Sequence, residues 1–343
     1  MSSTLTTLPD PKFTPLRGGA VLRWGVLAPG GIAESWVTTA HANTDQRVHA
    51  VASRSLARAQ EFASKHGIER AYGSYEELVA DDGIDVVYIS APHSEHLKLA
   101  TLAISAGKHV LIEKPIALTA AEARTIKALA AAAGVFAMEA MWSRFLPQTS
   151  IVDQLLSDGA LGDVKQVTAS FGALFPYQPE SRWFNPELGG GALLDIGVYP
   201  AWFAHFVLGV PETVTARGSL ADTGVDAQSV VVLDYASNAQ AIVSMTMWAE
   251  TNKGATIAGT AARLEYAGEF FAPSGLRVVV GDAAPLVWND ATGFKWGDGL
   301  CYQAVAVAQH IADGRTESPL HTLDDTIAVL EVLDEARAQL GSR

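Results

Sequence analysis

An acid and a phenol lie four residues apart in the stretch LLDIGVYP, residues 193–200, which follows three consecutive glycines and Ala192. Residues at this spacing share one face of a helix, so we expect Asp195 and Tyr199 to converge. A phenol positioned beside an alcohol can take its hydroxyl proton and return it in the reverse reaction. The structural alternative is that Asp195 caps a helix while Tyr199 packs in an amphipathic core.

A lysine in HVLIEKPIAL, residues 109–118, is the second candidate for chemistry. Glu113, Lys114 and Pro115 follow a β-rich run, and open α/β sheets bind ligands at the carboxyl ends of their strands. An ammonium group there would favour the phenolate form of a nearby tyrosine, whose ordinary pKa is about 10. Taken alone, Lys114 is better explained as a solvated lysine.

A glycine-rich turn, GVLAPGGIAESW, follows the first predicted strand and opens the first predicted helix. Its small residues Ala28, Gly30 and Ala33 occupy the three positions of the dinucleotide fingerprint G-x-G-x-x-G/A, with Ala in place of the first Gly. Such a turn lets the backbone approach a pyrophosphate at the positive end of a helix. An ordinary strand-to-helix turn is the alternative. The residues predicted to contact the dinucleotide here are Ala28, Pro29, Gly30, Gly31 and Ile32.

The end of the second predicted strand, ASRS, indicates which dinucleotide binds. NAD-binding folds usually place Asp or Glu here to accept hydrogen bonds from the adenosine ribose. This chain has Ser53 and Arg54, and a hydroxyl with a guanidinium suits a 2′-phosphate that a carboxylate would repel. We therefore predict NADP, with NAD as the alternative; Arg54 as a merely solvated arginine is the structural alternative.

The elements that must position these residues change character near Arg144. Before it, β-rich runs alternate with amphipathic segments, which predicts a parallel sheet with crossover helices. After it, strand-like runs follow one another directly, which predicts an antiparallel sheet. The predicted fold is α/β: an N-terminal Rossmann doubly wound parallel sheet and a C-terminal α+β domain on an open, mainly antiparallel sheet. The predicted parts are a flexible tail over 1–19, a dinucleotide-binding domain over 20–143, and a substrate-binding and oligomerisation domain over 144–343.

Individual elements are predicted from short runs. The parallel strands are VLRWGVL, VHAVAS, DVVYIS, HVLIEK and VFAME; the later strands are VKQVTASFG, SVVVLDYA, AIVSMTMW, ATIAGT and LRVVVGD; later helices cover about 147–158, 300–313 and 322–340.

Composition limits the classes of partner. The chain of 343 residues has 37 acidic and 24 basic side chains, a formal charge of −13 that repels nucleic acid and anionic membranes. Its single cysteine, Cys301, excludes an internal disulfide and a cysteine zinc cluster. The start of the chain lacks the pattern of a secretion signal, and no run approaches the roughly 20 apolar residues of a membrane helix. We therefore expect a cytoplasmic protein.

Five motifs in order, WGVLAPGGIA, SAPHSEH, EKP, MEAMWSRF and GGGALLDIGVY, together resemble the Gfo/Idh/MocA oxidoreductase family. Within it they are similar to the branch containing dimeric dihydrodiol dehydrogenase and NADP-dependent D-xylose dehydrogenase. The resemblance covers nearly all of residues 21–340. It implies an active site between the two domains with Lys114, Asp195 and Tyr199 as catalytic group, and a cis bond before Pro115. Many members have His at the position of Tyr199, whereas Tyr there resembles the branch that oxidises dihydrodiols and aldoses. The resemblance therefore makes the family's inositol-dehydrogenase chemistry less favoured. Ala28 occupies the first fingerprint position, where members of the family more commonly have Gly.

The resemblance also implies further contacts. In the resembling family the segment that corresponds to SAPHSEH follows the fourth strand and touches the nicotinamide side of the cofactor. The contacts predicted from this segment and from EKP are Ser90, Pro92, His93, His96, Glu113 and Lys114. His93 and His96 could be read as metal ligands, but no third ligand is evident, so no metal is expected. Aromatic faces and guanidinium donors suit a polyhydroxylated substrate, although large aromatics also build cores. The predicted substrate contacts are Trp142, Arg144, Arg182 and Trp183.

These patterns predict an NADP-dependent oxidoreductase that transfers a hydride between nicotinamide and a secondary alcohol or lactol carbon of a sugar or cyclic diol. The alternatives are a non-catalytic NADPH sensor and a nicotinamide-dependent glycosidase. The run AIVSMTMW carries apolar groups on both faces, which, with the family's habit of dimerising through its open sheet, predicts a homodimer or dimer of dimers. A helix of the same chain covering the second face is the alternative.

Overall fold

The computed structural model describes residues 5–342, which divide into two units. The Rossmann unit contains residues 14–145 and 297–327; the sheet unit contains residues 5–13, 146–296 and 328–342. The division after residue 145 lies close to the predicted boundary, but the grouping of residues 297–327 differs from that prediction. Long-range hydrogen bonds explain the difference: Thr39 donates to the carbonyl of Asp298 at 2.8 Å, and His321 pairs with Glu139 at 3.0 Å.

The Rossmann unit is built on a six-stranded parallel sheet in the order β3-β2-β1-β4-β5-β6. Its strands are β1 (Arg23–Leu27), β2 (Arg47–Ala52), β3 (Arg70–Tyr72), β4 (Val86–Ile89), β5 (His109–Ile112) and β6 (Ala137–Glu139). Its helices are α1 (Gly31–Asn43), α2 (Leu56–His66), α3 (Tyr75–Val79), α4 (His96–Ser105), α5 (Ala120–Ala133) and α8 (Cys301–Ala312). This is the strand order of dinucleotide-binding folds, so the predicted doubly wound sheet is confirmed.

The central strands are apolar on both faces because helices cover both sides of the sheet. Every residue of β4 is buried, as are the last three residues of β5. Trp36 of α1 packs against Trp24 and Tyr88 with ring centroids 4.9 and 4.5 Å apart. All five predicted parallel strands are present. The three-residue strand β3 was missed because it is short and none of its residues is fully buried.

The sheet unit is built on an eight-stranded sheet in the order β14-β13-β12-β11-β7-β10-β9-β8, in which only the β7–β10 pair is parallel. Its strands are β7 (Val164–Gly172), β8 (Thr213–Leu220), β9 (Asp226–Asp234), β10 (Gln240–Thr246), β11 (Ala255–Gly259), β12 (Arg263–Tyr266), β13 (Leu276–Val279) and β14 (Leu286–Trp288). Its helices are α6 (Pro147–Ser157) and α7 (Val198–Leu208), while α9 (Leu323–Leu340) has residues in both units. The predicted antiparallel character is confirmed, although β8, β12 and β14 were not predicted.

Strand β10 alternates between a buried and an exposed face. Val243 and Met245 are buried on the side where α7 packs against β7 and β10. On the other face of β10, Ile242 is 37% exposed, and Ser244 and Thr246 are partly exposed. Trp248 lies beyond the end of β10, where its ring stacks on Phe184 with centroids 5.4 Å apart. The described residues therefore leave this face of β10 partly open to solvent.

The residues predicted as a flexible tail form neither helix nor strand over 5–19, and residues 1–4 lie outside the described part. In the sheet unit, the Lys12 amide donates to Ser150 at 2.8 Å and Gln154 donates to the carbonyl of Asp10 at 2.9 Å. In the Rossmann unit, the Gly18 amide donates to Asp45 at 2.7 Å. The described part of this segment is therefore tied down by specific hydrogen bonds.

One helical stretch in residues 5–342, Pro186–Leu208, is long and apolar enough to span a membrane by length and composition alone. Of its most apolar window, 78% is buried inside the protein. Its apolar character is accounted for by core packing.

Candidate active site

The Rossmann sheet reverses its strand order between β1 and β4, and open α/β sheets bind ligands at such a point. Ala28 and Ser90 are the first residues after these two strands. Ser90 donates from its hydroxyl to the carbonyl of Leu27 at 3.0 Å, and its amide donates to the same oxygen at 3.2 Å. Ser90 thereby ties together the two strand ends that border the ligand-binding point.

The turn after β1 fits a dinucleotide phosphate. Ala28 has a left-handed φ of 59°, which bends the chain sharply into α1. Side chains at Gly30 or Gly31 would meet nothing within 4 Å, so open space lies above the turn. Gly30 caps α1 without a side-chain hydrogen bond, and the first amides of a helix have no partner within the helix. These amides are available to an anion, as the predicted site requires.

The end of β2 presents cationic rather than acidic groups. Ser53 is buried and accepts a hydrogen bond from the amide of Ser55 at 3.3 Å, whereas Arg54 is exposed. Burial raises the pKa of the Tyr75 phenol, and the nearby positive charge of Arg54 opposes the rise. The positive charge of Arg58 also lowers the pKa of the Tyr75 phenol. Arg58 is a cationic group near this strand end that the sequence analysis did not name. Its position four residues after Arg54, in the first turn of α2, is the signal that could have identified it.

The loop after β4 places its two histidines differently. His93 is buried, and its ring lies 5.7 Å from that of His96 in an edge-on arrangement. His96 is fully buried, with Nδ1 2.9 Å from the Pro115 carbonyl and Nε2 2.9 Å from the Ala91 carbonyl. Burial lowers the pKa of His96, while the two carbonyls act in the opposite direction. The predicted cofactor contact of His96 is therefore revised: its ring joins two backbone loops.

Lys114 follows β5 at the carboxyl edge of the Rossmann sheet, as predicted. Its side chain is half-buried, and its bond to Pro115 is cis. The preceding Glu113 is buried, and its carboxylate accepts hydrogen bonds from the hydroxyl of Tyr88 and, at 3.2 Å, from the amide of Lys114. The EKP segment is thus anchored to the interior of the sheet while Lys114 stays partly accessible.

A buried acid that the sequence did not single out holds the other end of this segment. Glu139, the last residue of β6, is 2% exposed. It accepts hydrogen bonds from the Ile116 amide at 2.9 Å, from the Thr326 hydroxyl at 3.0 Å and from His321 Nε2 at 3.0 Å. The only sequence signal was a charged residue in an otherwise apolar strand; its partner His321 lies 182 positions away.

We expect Glu139→Gln to lower the free energy of unfolding by about 1–3 kcal/mol, because the amide cannot accept from all three donors and leaves a buried one unsatisfied. Urea unfolding followed by circular dichroism measures this. Glu76→Gln, on the exposed side of α3, is the matched control and should stay within about 0.5 kcal/mol of wild type. Equal stabilities for the two variants would contradict the role of Glu139.

In the sheet unit, the segment carrying Asp195 and Tyr199 begins as a π-helical turn, Leu193–Gly197, and continues as α7. Both residues are buried. Asp195 accepts a hydrogen bond from Arg182 at 3.1 Å, which joins a predicted catalytic residue to a predicted substrate contact. The Tyr199 ring packs against Phe171 and Phe271, with centroids 5.7 and 5.0 Å away. The helical segment was predicted; its π turn was not, although such turns recur at functional sites.

Close backbone approaches explain the glycines before this helix. A side chain at Gly190 would come within 2.8 Å of the Trp183 carbonyl oxygen. Gly191 has a φ of 122°, and a side chain there would lie 2.5 Å from a carboxylate oxygen of Asp226. The run is therefore required by packing at the start of the helix.

Residues 22–141 match the oxidoreductase family with an NAD-binding Rossmann fold, and residues 150–265 match the GFO/IDH/MocA C-terminal domain. The chain is 39% identical over 326 residues to trans-1,2-dihydrobenzene-1,2-diol dehydrogenase of Xenopus tropicalis, covering 93% of this chain and 98% of that protein. The chain belongs to the Gfo/Idh/MocA oxidoreductase family. The motif resemblance is thus confirmed, and the protein is an NAD(P)-dependent oxidoreductase.

Two solved structures share this Gfo/Idh/MocA fold over almost their whole length. One is KijD10, a 3-ketoreductase from Actinomadura kijaniata in complex with NADP and TDP-benzene: 27% identity, TM-score 0.79, covering 93% of this chain and 97% of that one. The other is an aldose-aldose oxidoreductase from Caulobacter crescentus complexed with glycerol: 25% identity, TM-score 0.83, with the same coverage of each chain.

The remaining predicted substrate contacts of this Gfo/Idh/MocA member are placed as follows. Arg182 is exposed and lies over the Trp183 ring, 5.1 Å from its centroid. Trp142 and Arg144 are buried, and Arg144 donates to the carbonyl of Leu320 at 2.8 Å. The guanidinium of Arg144 therefore supports the fold, and a substrate contact by it or by Trp142 stays a prediction.

Across residues 5–342, no group of three or more His, Cys, Asp and Glu side chains is arranged to hold a metal ion.

Proposed function

We propose that this protein is an NADP-dependent dehydrogenase that interconverts a secondary alcohol or lactol and its carbonyl on a sugar or cyclic diol. The observation that carries the proposal is the 39% identity to trans-1,2-dihydrobenzene-1,2-diol dehydrogenase over 98% of that enzyme's length. The structures of a 3-ketoreductase and an aldose-aldose oxidoreductase support the same substrate class.

We propose Lys114, Asp195 and Tyr199 as the catalytic group. The bound nicotinamide would accept a hydride from the substrate carbon or return it. Tyr199 takes the hydroxyl proton during oxidation and returns it during reduction. The Lys114 ammonium favours the phenolate that this role needs. Asp195, held by Arg182 at 3.1 Å, orients the substrate hydroxyl or Lys114.

The dinucleotide contacts proposed for the Rossmann unit are the turn over residues 28–32, Ser53 and Arg54, Ser90, Pro92 and His93, and Glu113 with Lys114. The helix amides after Gly30 hold the diphosphate. Ser53 and Arg54 favour NADP because a guanidinium binds a 2′-phosphate through charge-assisted hydrogen bonds.

Arg54→Ala is expected to reduce kcat/KM for NADP by about 10- to 10²-fold, since hydrogen bonds to charged groups contribute about 1.5–3 kcal/mol. Steady-state kinetics with each cofactor measures the effect. NAD is the internal control: it lacks the 2′-phosphate, so its kcat/KM should hardly change. An equal loss with both cofactors, or a strong NAD preference in the wild type, would refute NADP specificity.

The proposed activity is tested by screening aldoses, inositols and cyclic diols, including trans-1,2-dihydrobenzene-1,2-diol, with NADP and NAD while following reduced nicotinamide. Net reduction with a free sugar or diol is expected. A nicotinamide-dependent glycosidase would instead cleave a glycoside without net reduction, and that outcome would overturn the proposal. The non-catalytic sensor is no longer a candidate, because the relatives are dehydrogenases.

We also propose that the protein assembles as a homodimer or dimer of dimers through the exposed face of β8–β10, where Val230 is 45% and Ile242 37% exposed. Sedimentation of wild type and Ile242→Asp tests this assembly.

A cytoplasmic location is proposed because extracellular chains usually carry disulfides, whereas this chain has one cysteine.

A further inference from the structure

A second buried acid, Asp226, lies at the start of the segment that carries Asp195 and Tyr199. It is the first residue of β9 and is 1% exposed. Its Oδ2 accepts a hydrogen bond from the amide of Leu193 at 2.7 Å. Leu193 is the first residue of the π-helical turn, two positions before Asp195. A strand distant in sequence therefore supplies the cap of the candidate catalytic helix.

The C-terminal segment completes this cap. The Ser342 hydroxyl donates to Asp226 Oδ1 at 3.2 Å, and the Asp226 amide donates to Ser342 Oγ at 2.9 Å. Ser342 lies beyond the end of α9 and makes both contacts within the sheet unit. One carboxylate is thereby shared between the start of the helix and the end of the described chain.

Gly191 allows the carboxylate to approach this closely. A side chain at position 191 would lie 2.5 Å from Asp226 Oδ1. The Gly191 carbonyl accepts the Asp195 amide at 3.2 Å, so the same residue that contacts Asp226 also holds the backbone of Asp195. Asp226 therefore packs closely against the glycine whose carbonyl holds the backbone of Asp195.

The carboxyl group of Asp226 suits its position. The first amides of a helix have no partner within the helix, and a carboxyl oxygen can accept a hydrogen bond from them. Burial raises the pKa of Asp226, while the Leu193 amide, the Ser342 hydroxyl and the charge of Arg337 act in the opposite direction. The buried carboxyl group of Asp226 is therefore hydrogen-bonded by groups from the helix start and from the C-terminal segment.

We propose that Asp226, together with Ser342, is a positioning residue that fixes the Leu193–Gly197 turn and so sets the placement of Asp195 and Tyr199. The proposal rests on the proposed function for its catalytic consequence. Its structural consequence, a helix start held by the C-terminal segment, can be measured without turnover.

The test compares Asp226→Asn and Ser342→Ala with Asp234→Asn, a control at the far end of β9 whose carboxylate is bonded to Thr213 and Gln240. In folded protein we expect kcat to fall about tenfold or more in Asp226→Asn and less in Ser342→Ala, since misplaced catalytic groups lose up to about 10²-fold in rate. Cofactor affinity, measured by fluorescence titration, should be unchanged. The control should match the wild type.

Hydrogen–deuterium exchange supplies the second readout. Amides over residues 192–199 should exchange faster in Ser342→Ala than in wild type, while those of α1 should not change. Kinetics within twofold of wild type together with unchanged exchange over 192–199 would overturn the proposal, and so would lower melting temperatures with normal kcat. If Asp226→Asn does not fold, Ser342→Ala decides the matter alone.

The two readouts separate this proposal from the function itself. Faster exchange in a protein whose wild type turns over none of the screened substrates would refute the proposed function and leave the positioning role supported. An active wild type with unaffected variants would refute the positioning role alone.

Discussion

Replacing Tyr199 with Phe is expected to reduce kcat by about 10² to 10⁴-fold, the range typical of a lost general acid–base group. The variant keeps the ring that packs against Phe171 and Phe271, so the fold should be retained. Cofactor affinity should also be retained, because the proposed dinucleotide contacts lie in the Rossmann unit. Steady-state kinetics and a cofactor titration on the same preparation measure the two effects.

Tyr235→Phe is the matched control for this prediction. Tyr235 belongs to the same unit, is buried, and its hydroxyl has no hydrogen-bond partner among the described residues. Removing that hydroxyl should leave kcat near the wild-type value. Near-normal turnover in Tyr199→Phe would remove Tyr199 from the mechanism.

Lys114→Met is expected to reduce kcat by about 10² to 10³-fold, comparable to the loss of one preorganised electrostatic contact in other enzymes. The physical reason is that an ammonium group favours the phenolate form of the proposed base. Without it, the base loses its proton only at higher pH, so the rising limb of the kcat profile for oxidation should move to higher pH. A kcat profile measured across neutral and alkaline pH tests both statements.

Lys98→Met, on the exposed surface of α4, is the control, since its side chain is 79% exposed. It should change neither kcat nor the pH profile. A Lys114→Met variant with reduced kcat but an unshifted profile would contradict the assignment of Lys114 to proton transfer and leave it a role in binding.

Local sequence signals were sufficient for much of the fold. Alternation of β-rich and amphipathic runs predicted the parallel sheet, and consecutive strand runs predicted the second sheet. The missed strands β3 and β14 are only three residues long, and β8 is mostly exposed. Strand β12 has a buried face but only four residues, too few for a clear alternating pattern in the sequence. The grouping of residues 297–327 with the Rossmann unit was also missed, because it depends on contacts such as Thr39 with Asp298.

Periodicity and short motifs in the sequence were enough to predict the fold class and to name the turn over residues 28–32 and Lys114, Asp195 and Tyr199 as candidates. The residues that hold these candidates in place became visible only in the folded structure. It pairs Glu139 with His321 and Asp226 with Ser342, residues 182 and 116 positions apart. The physical reason is that a buried carboxyl group needs hydrogen-bond donors, which come from whichever segments folding brings beside it. Short-range sequence patterns do not identify those distant partners.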